Sequence, residues 1–135
     1  MKIMSVKYSH AAFSFATLAL RLGLGIVMLV AHGSDKLRHF SKFSSGFADP
    51  FHIGSVTSLS LDIFAEVFCS CLVILGLFTR LACIPLIIAM TVALLYAHHG
   101  DVFGPGERAV LFLSGFITLL FLGPGKLSLD GKFGK

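Results

Sequence analysis

Four apolar stretches, about residues 11–31, 58–77, 80–98 and 107–122, take up more than half of the chain and hold few charges. A helix needs roughly 20 residues to cross a bilayer, with about 17 as the practical minimum. The first three qualify outright, and the fourth qualifies by recruiting Gly106 to Arg108 at its start. In lipid every backbone group must be paired internally, so such segments are helices or barrel strands. Barrel strands are shorter and alternate apolar with polar residues, which these do not. Composition agrees: 13% of residues are charged and mean hydropathy is +0.89, too little charge to cover a soluble domain of this size. The expected fold is all-α, an integral membrane four-helix bundle forming one domain over residues 1–135.

The breaks between spans are readable. Thr79-Arg80 forms a tight polar turn, and Gly104-Pro105-Gly106 and Gly123-Pro124-Gly125 bracket the last span. The N-terminal span has no small-x-small cleavage site after it and is read as uncleaved. Residues 33–57 are long for a loop. Leu37, Phe40, Phe43 and Phe47 recur there at helical spacing, interleaved with Lys36, Arg38 and Lys42. That pattern predicts an amphipathic helix lying at the interface. Lys2, Lys7, Arg80, Lys126, Lys132 and Lys135 fall on the side of the termini, against Lys36, Arg38, Lys42 and Arg108 on the other. The positive-inside rule then places both termini in the cytoplasm. The net charge of +4 suits anionic head groups, and no soluble basic face exists to engage nucleic acid.

The sharpest anomaly is Arg21, a permanent cation inside the apolar run LALRLGLGIVMLV. Asp62 and Glu66 lie one turn apart in the second span. If the first two spans are antiparallel, Arg21 and Glu66 both fall near mid-membrane. The expectation is that Glu66 holds Arg21, with Asp62 as second acceptor, since a guanidinium fork matches a carboxylate. Ser14, Thr17, Arg21, Gly25, Met28 and His32 share one side of the first helix, and Ser58, Asp62, Glu66, Cys69 and Ser70 one side of the second. Polar stripes in lipid face inward. The hydroxyls read as interhelical glue, and the Arg21–Glu66 pair reads equally as a structural ion pair or a functional one.

At the opposite end from the termini, His32, Asp35, His98, His99 and Glu107 are expected at one membrane face. His32, His98 and Glu107 are predicted to converge in one pocket. With Arg21, Asp62, Glu66 and Lys36 they form the candidate ligand site. His32 and His98 are the nearest approach to a metal site, but adjacent His98 and His99 diverge by about 100° and no HxH or HxxxH spacing occurs. Cys69, Cys71 and Cys83 form no CxxC and read as reduced apolar fillers. No flavin, haem or iron–sulfur motif is present.

Taken in order, Gly33-Ser34-Asp35-Lys36-Leu37, Ala65-Glu66, Gly76-Leu77-Phe78-Thr79-Arg80, Ala97-His98, Glu107-Arg108-Ala109 and Gly123-Pro124-Gly125-Lys126-Leu127-Ser128-Leu129-Asp130 resemble the DoxX family over nearly the whole chain. Arg21 also matches the family pattern, whereas His32 stands where small or apolar residues are usual. The resemblance implies a small bacterial inner-membrane protein linked to quinone- or sulfur-coupled redox systems and oxidative-stress complexes. Three functional readings follow. The chain is a membrane subunit or accessory of a quinone- or sulfur-linked redox complex, with quinone as the candidate cofactor and redox proteins as partners. Alternatively it is a small-molecule or proton carrier acting as a homo-oligomer, or a non-catalytic scaffold.

Overall fold

Ser9 starts the first helix, its hydroxyl accepting the Ala12 amide at 3.1 Å. Nothing stops that helix until Arg38. In the computed structural model, which describes residues 2–134, α1 runs over His10–Arg38, 29 residues or about 43 Å at 1.5 Å each. It is therefore longer than the stretch expected to end near residue 31. Gly33 does not break it: with φ −62° and ψ −49° the residue is helical. Its missing Cβ serves proximity instead, since a Cβ there would lie 2.7 Å from the Glu66 carbonyl oxygen. The break comes at His39, with φ −114° and ψ 39°.

The amphipathic segment expected over residues 33–57 is divided by that break. Leu37 belongs to the end of α1 and is exposed, and only the short helix α2, Phe40–Ser44, follows. The chain then loops back to α3, Ser55–Leu75. Asp49 ties the loop to the start of α3. Its carboxylate accepts the Ile53 amide at 2.9 Å, the Gly54 amide at 2.8 Å and the Ser58 hydroxyl at 2.9 Å. Desolvation opposes ionisation there, but these hydrogen bonds and nearby His52 outweigh it and hold the carboxyl below its ordinary range. A lowered carboxylate pKa means the restraint is present at neutral pH and is lost as pH falls below the usual carboxylate range. The Ile53 and Gly54 amides are expected to lose hydrogen-exchange protection on acidification, and Asp49→Ala to remove that protection at every pH.

Helix α4, Thr79–Ala97, follows a tight turn. Gly76 takes φ +72° in that turn, a left-handed conformation that glycine adopts at little cost. Then come α5, Glu107–Leu122, and the short α6, Leu129–Lys132. No strand occurs among the described residues. Helices α1, α3 and α4 are long and apolar enough to cross a membrane. The four long helices pack in a ring, α1 on α3, α3 on α4, α4 on α5 and α5 on α1. Met28, Cys69, Val73, Cys83, Leu86 and Phe116 lie in its core.

The distribution of polarity inverts that of a soluble protein. Arg21, Glu66, Thr17 and Ser70 are buried, whereas Phe15, Phe68, Leu81, Leu111 and Phe121 are more than half exposed. Lipid is the solvent in which that arrangement is favourable.

A feature invisible to a simple periodicity reading is a widened turn in each of the three longest helices. Residues Met28–Gly33, Phe64–Cys69 and Ala93–Ala97 are π-helical. In the first the Ser34 amide reaches back five residues to the Leu29 carbonyl. In the third His98 does the same to Ala93 at 3.0 Å. Such turns are often found at functional sites.

Candidate functional site

The contacts between α1 and α3 set the depth of every buried charge. Gly33 abuts Glu66, Gly25 abuts Ser70 and Ile74, and Arg21 reaches Val73 and Ile74. Arg21 is thus level with the last turn of α3, and Glu66 with Gly33. Seven residues separate Glu66 from Val73, about 10 Å along a helix. The expected Arg21–Glu66 pair is therefore not formed. The expectation set Glu66 level with residue 21, whereas α1 continues to Arg38 and Glu66 lies beside Gly33, further along the helix.

Arg21 is instead held by carbonyls. One nitrogen of its guanidinium donates to Val73 at 3.3 Å and Ile74 at 3.1 Å, and the other donates to Leu127. The Ile74 carbonyl, at the C-terminal end of α3, has no intrahelical donor, and a cation there also complements the helix dipole. Among the described residues Arg21 makes no ion pair. The tail that supplies Leu127 is fixed to the same place. The Asp130 amide donates to the Gly76 carbonyl at 2.9 Å. The Asp130 carboxylate, 8% exposed, accepts the Phe78 amide at 3.1 Å and the Thr79 amide at 3.3 Å. Asp130 thereby caps the start of α4. Losing this cap in Asp130→Ala is expected to cost about 1–2 kcal/mol, read as a lower unfolding temperature in detergent. An unchanged value would mean the carboxylate does not cap α4.

The carboxylates find a different cation. Lys36 Nζ lies 2.6 Å from Asp62 and 2.5 Å from Glu66. It also stands 5.6 Å from the centroid of the Phe47 ring, within cation–π range. Glu66 is fully buried. Sequence reasoning counted Lys36 among the site candidates but not as the partner of both acids. The signal was available: Arg21, Gly25, Met28, His32 and Lys36 continue one face at spacings of four, three, four and four.

These groups line a cleft of about 1190 Å³ at the end of the molecule away from the Arg21 junction. His32, Lys36, Asp62, Glu66, His98 and Glu107 all line it, and Arg21 does not. His32 packs edge-on against Phe112, ring centroids 5.5 Å apart. His98 is half-buried and Glu107 is exposed at the rim. Among the described residues no three His, Cys, Asp or Glu side chains are grouped closely enough to hold a metal ion. The rest of the wall is apolar, with Phe43, Phe47, Phe64, Tyr96 and Phe112 contributing rings. The cleft thus offers a buried charge network on one side and an apolar, ring-lined space on the other, the usual composition of a small-molecule site.

Two relatives share most of their length with this chain. An uncharacterized membrane protein of Mycobacterium tuberculosis is 30% identical over 141 residues, covering 93% of this chain and 86% of the relative. An uncharacterized protein of Haemophilus influenzae is 34% identical over 115 residues, covering 80% and 84%. No solved structure matches. The DoxX family model matches residues 16–99, a stretch holding most of α1 and all of α3 and α4, with the Lys36–Asp62–Glu66 network. The chain is a small membrane protein and belongs to the DoxX family.

Proposed function

We propose that the protein is an inner-membrane subunit or accessory of a quinone- or sulfur-linked redox complex, and that its cleft holds the ring of a small amphiphilic ligand such as a quinone. One observation carries the reading: Lys36, Asp62 and Glu66 form a buried charge network on the wall of an otherwise ring-lined cleft. Such a network inside a membrane protein is costly, and intramembrane charge is by default a functional feature. The resemblance of the chain to a family associated with redox complexes supports the class of partner. In this reading α5 is a fourth crossing, both termini are cytoplasmic and the cleft opens towards the outer leaflet.

Purification from native membranes, followed by mass spectrometry of bound lipid, quinone and protein, tests the assignment. Quinone and electron-transfer proteins are expected with the wild-type chain, and Lys36→Met is expected to lose the quinone. A sample free of both would overturn the redox reading, and a fall in a partner's abundance on deletion, with nothing bound, would mark a scaffold. Orientation has its own check. A cysteine introduced at the exposed Ser45 is expected to react with a membrane-impermeant reagent in intact spheroplasts. Reaction only after lysis would reverse the topology.

A further inference from the structure

The donors and acceptors in the cleft are unequally used. Lys36 spends two N–H groups on Asp62 and Glu66, and an ammonium carries three. Glu66 Oε2 takes one of them, while Glu66 Oε1 is buried with no hydrogen-bond partner. A buried acceptor left unpaired is costly, and native structures rarely tolerate one without a reason. The charged side chains around the cleft balance: Lys36, Lys42 and Arg108 against Asp62, Glu66 and Glu107. A neutral ligand therefore suits it better than an ion of either sign. The wall missing from this network is an O–H group that donates to Glu66 Oε1 and accepts from the third Lys36 N–H, attached to a flat apolar body that fits among Phe43, Phe47 and Phe112.

We infer that the cleft selects a neutral aromatic ligand bearing a hydroxyl, a phenol or hydroquinone, over the corresponding carbonyl form. This rests on the proposed function's reading of the cleft as the ligand site and names the form that the site prefers. A quinone carbonyl only accepts. It can take the Lys36 N–H but leaves Glu66 Oε1 unpaired. A hydroquinone hydroxyl satisfies both. Sites built to hydrogen-bond a hydroxyl reject analogues lacking it more sharply than apolar pockets reject differences in size. Phe47, whose ring faces Lys36, lies on the loop behind α2 and lines the cleft beside that hydroxyl.

The test uses the full chain in lipid nanodiscs under anaerobic, reducing or oxidising conditions. The probes are a short-chain naphthohydroquinone, its quinone and its bis-methyl ether. The hydroquinone is expected to bind at least about tenfold more tightly than either of the others, the effect of one hydrogen bond to a buried charged acceptor. In Glu66→Gln the preference is expected to fall below about threefold, since the loss of charge weakens that bond. Equal binding of hydroquinone and quinone, or tighter binding of the quinone, would overturn the inference while leaving the cleft as a ligand site. Binding of none of the three would overturn both. If Glu66→Gln does not fold, the ratio among the probes on the wild-type chain decides the matter alone.

Discussion

Arg21→Leu is expected to lower stability by about 3 kcal/mol or more. The side chain is 1% exposed, and its removal strands the carbonyls of Ile74 and Leu127, that of Val73 keeping the Gly76 amide; each unpaired buried acceptor costs about 1–3 kcal/mol. Arg21→Lys should recover little, because a compact ammonium cannot span carbonyls on two separate segments as a planar fork does. The partner assignment gives a second, sharper expectation. Arg21 and Glu66 are not in contact, so the losses in Arg21→Leu and Glu66→Leu should add to within about 0.5 kcal/mol. Unfolding of both singles and the double in mixed micelles measures this. Recovery in the double would restore the Arg21–Glu66 pair and refute the assignment, as would a single Arg21→Leu indistinguishable from wild type.

Lys36→Met is expected to cost about 3 kcal/mol. It leaves Asp62 and Glu66 facing each other with no cation, and breaking a buried pair by removing one member costs about 3–5 kcal/mol. The lower end applies because the Lys36 and Asp62 side chains retain 20% and 13% exposure. Neutralising the acids as well, by Asp62→Asn and Glu66→Gln in the Lys36→Met background, should return most of the loss. The comparison separates fold from ligand: the triple variant is expected to be stable and unable to retain quinone. A stable single Lys36→Met chain would show that solvent or lipid already balances the two carboxylates.

The helical fold was legible because its signal is redundant. Four apolar stretches and the glycine–proline breaks between them identify the same elements several times over. Depth was not legible, because it depends on where α1 ends. Gly33 looks like a terminator and acts as a contact, and only the α3 backbone beside it distinguishes the two. Ending the span near residue 31, where the apolar run stops, shifted the level assigned to Arg21 and hid the continuity of its stripe to Lys36. The role of Asp130 was hidden for a related reason. A carboxylate three residues past Leu127 reads as a solvated tail unless the chain turns back at Gly123-Pro124-Gly125, and its acceptors and donors lie about 50 residues away in sequence. The cleft residues, by contrast, lie mostly at corresponding ends of their helices, which hydropathy fixes well.

The widened turns have a consequence for how this chain tolerates insertions and deletions. A π turn houses an additional residue relative to an α turn, so losing one residue within Met28–Gly33 could be absorbed by closing the turn, with no gap in backbone pairing. Everything beyond the turn would then keep its former phase. Losing a residue on the regular stretch between Arg21 and Met28 leaves the residues from the gap to the turn rotated by about 100°, carrying Gly25 or Met28 off the faces they present to α3 and the core. Single-residue deletions scanned along α1 should therefore be unequal neighbours: mild across 28–33, severe a turn earlier, with length tolerance concentrated beside the cleft.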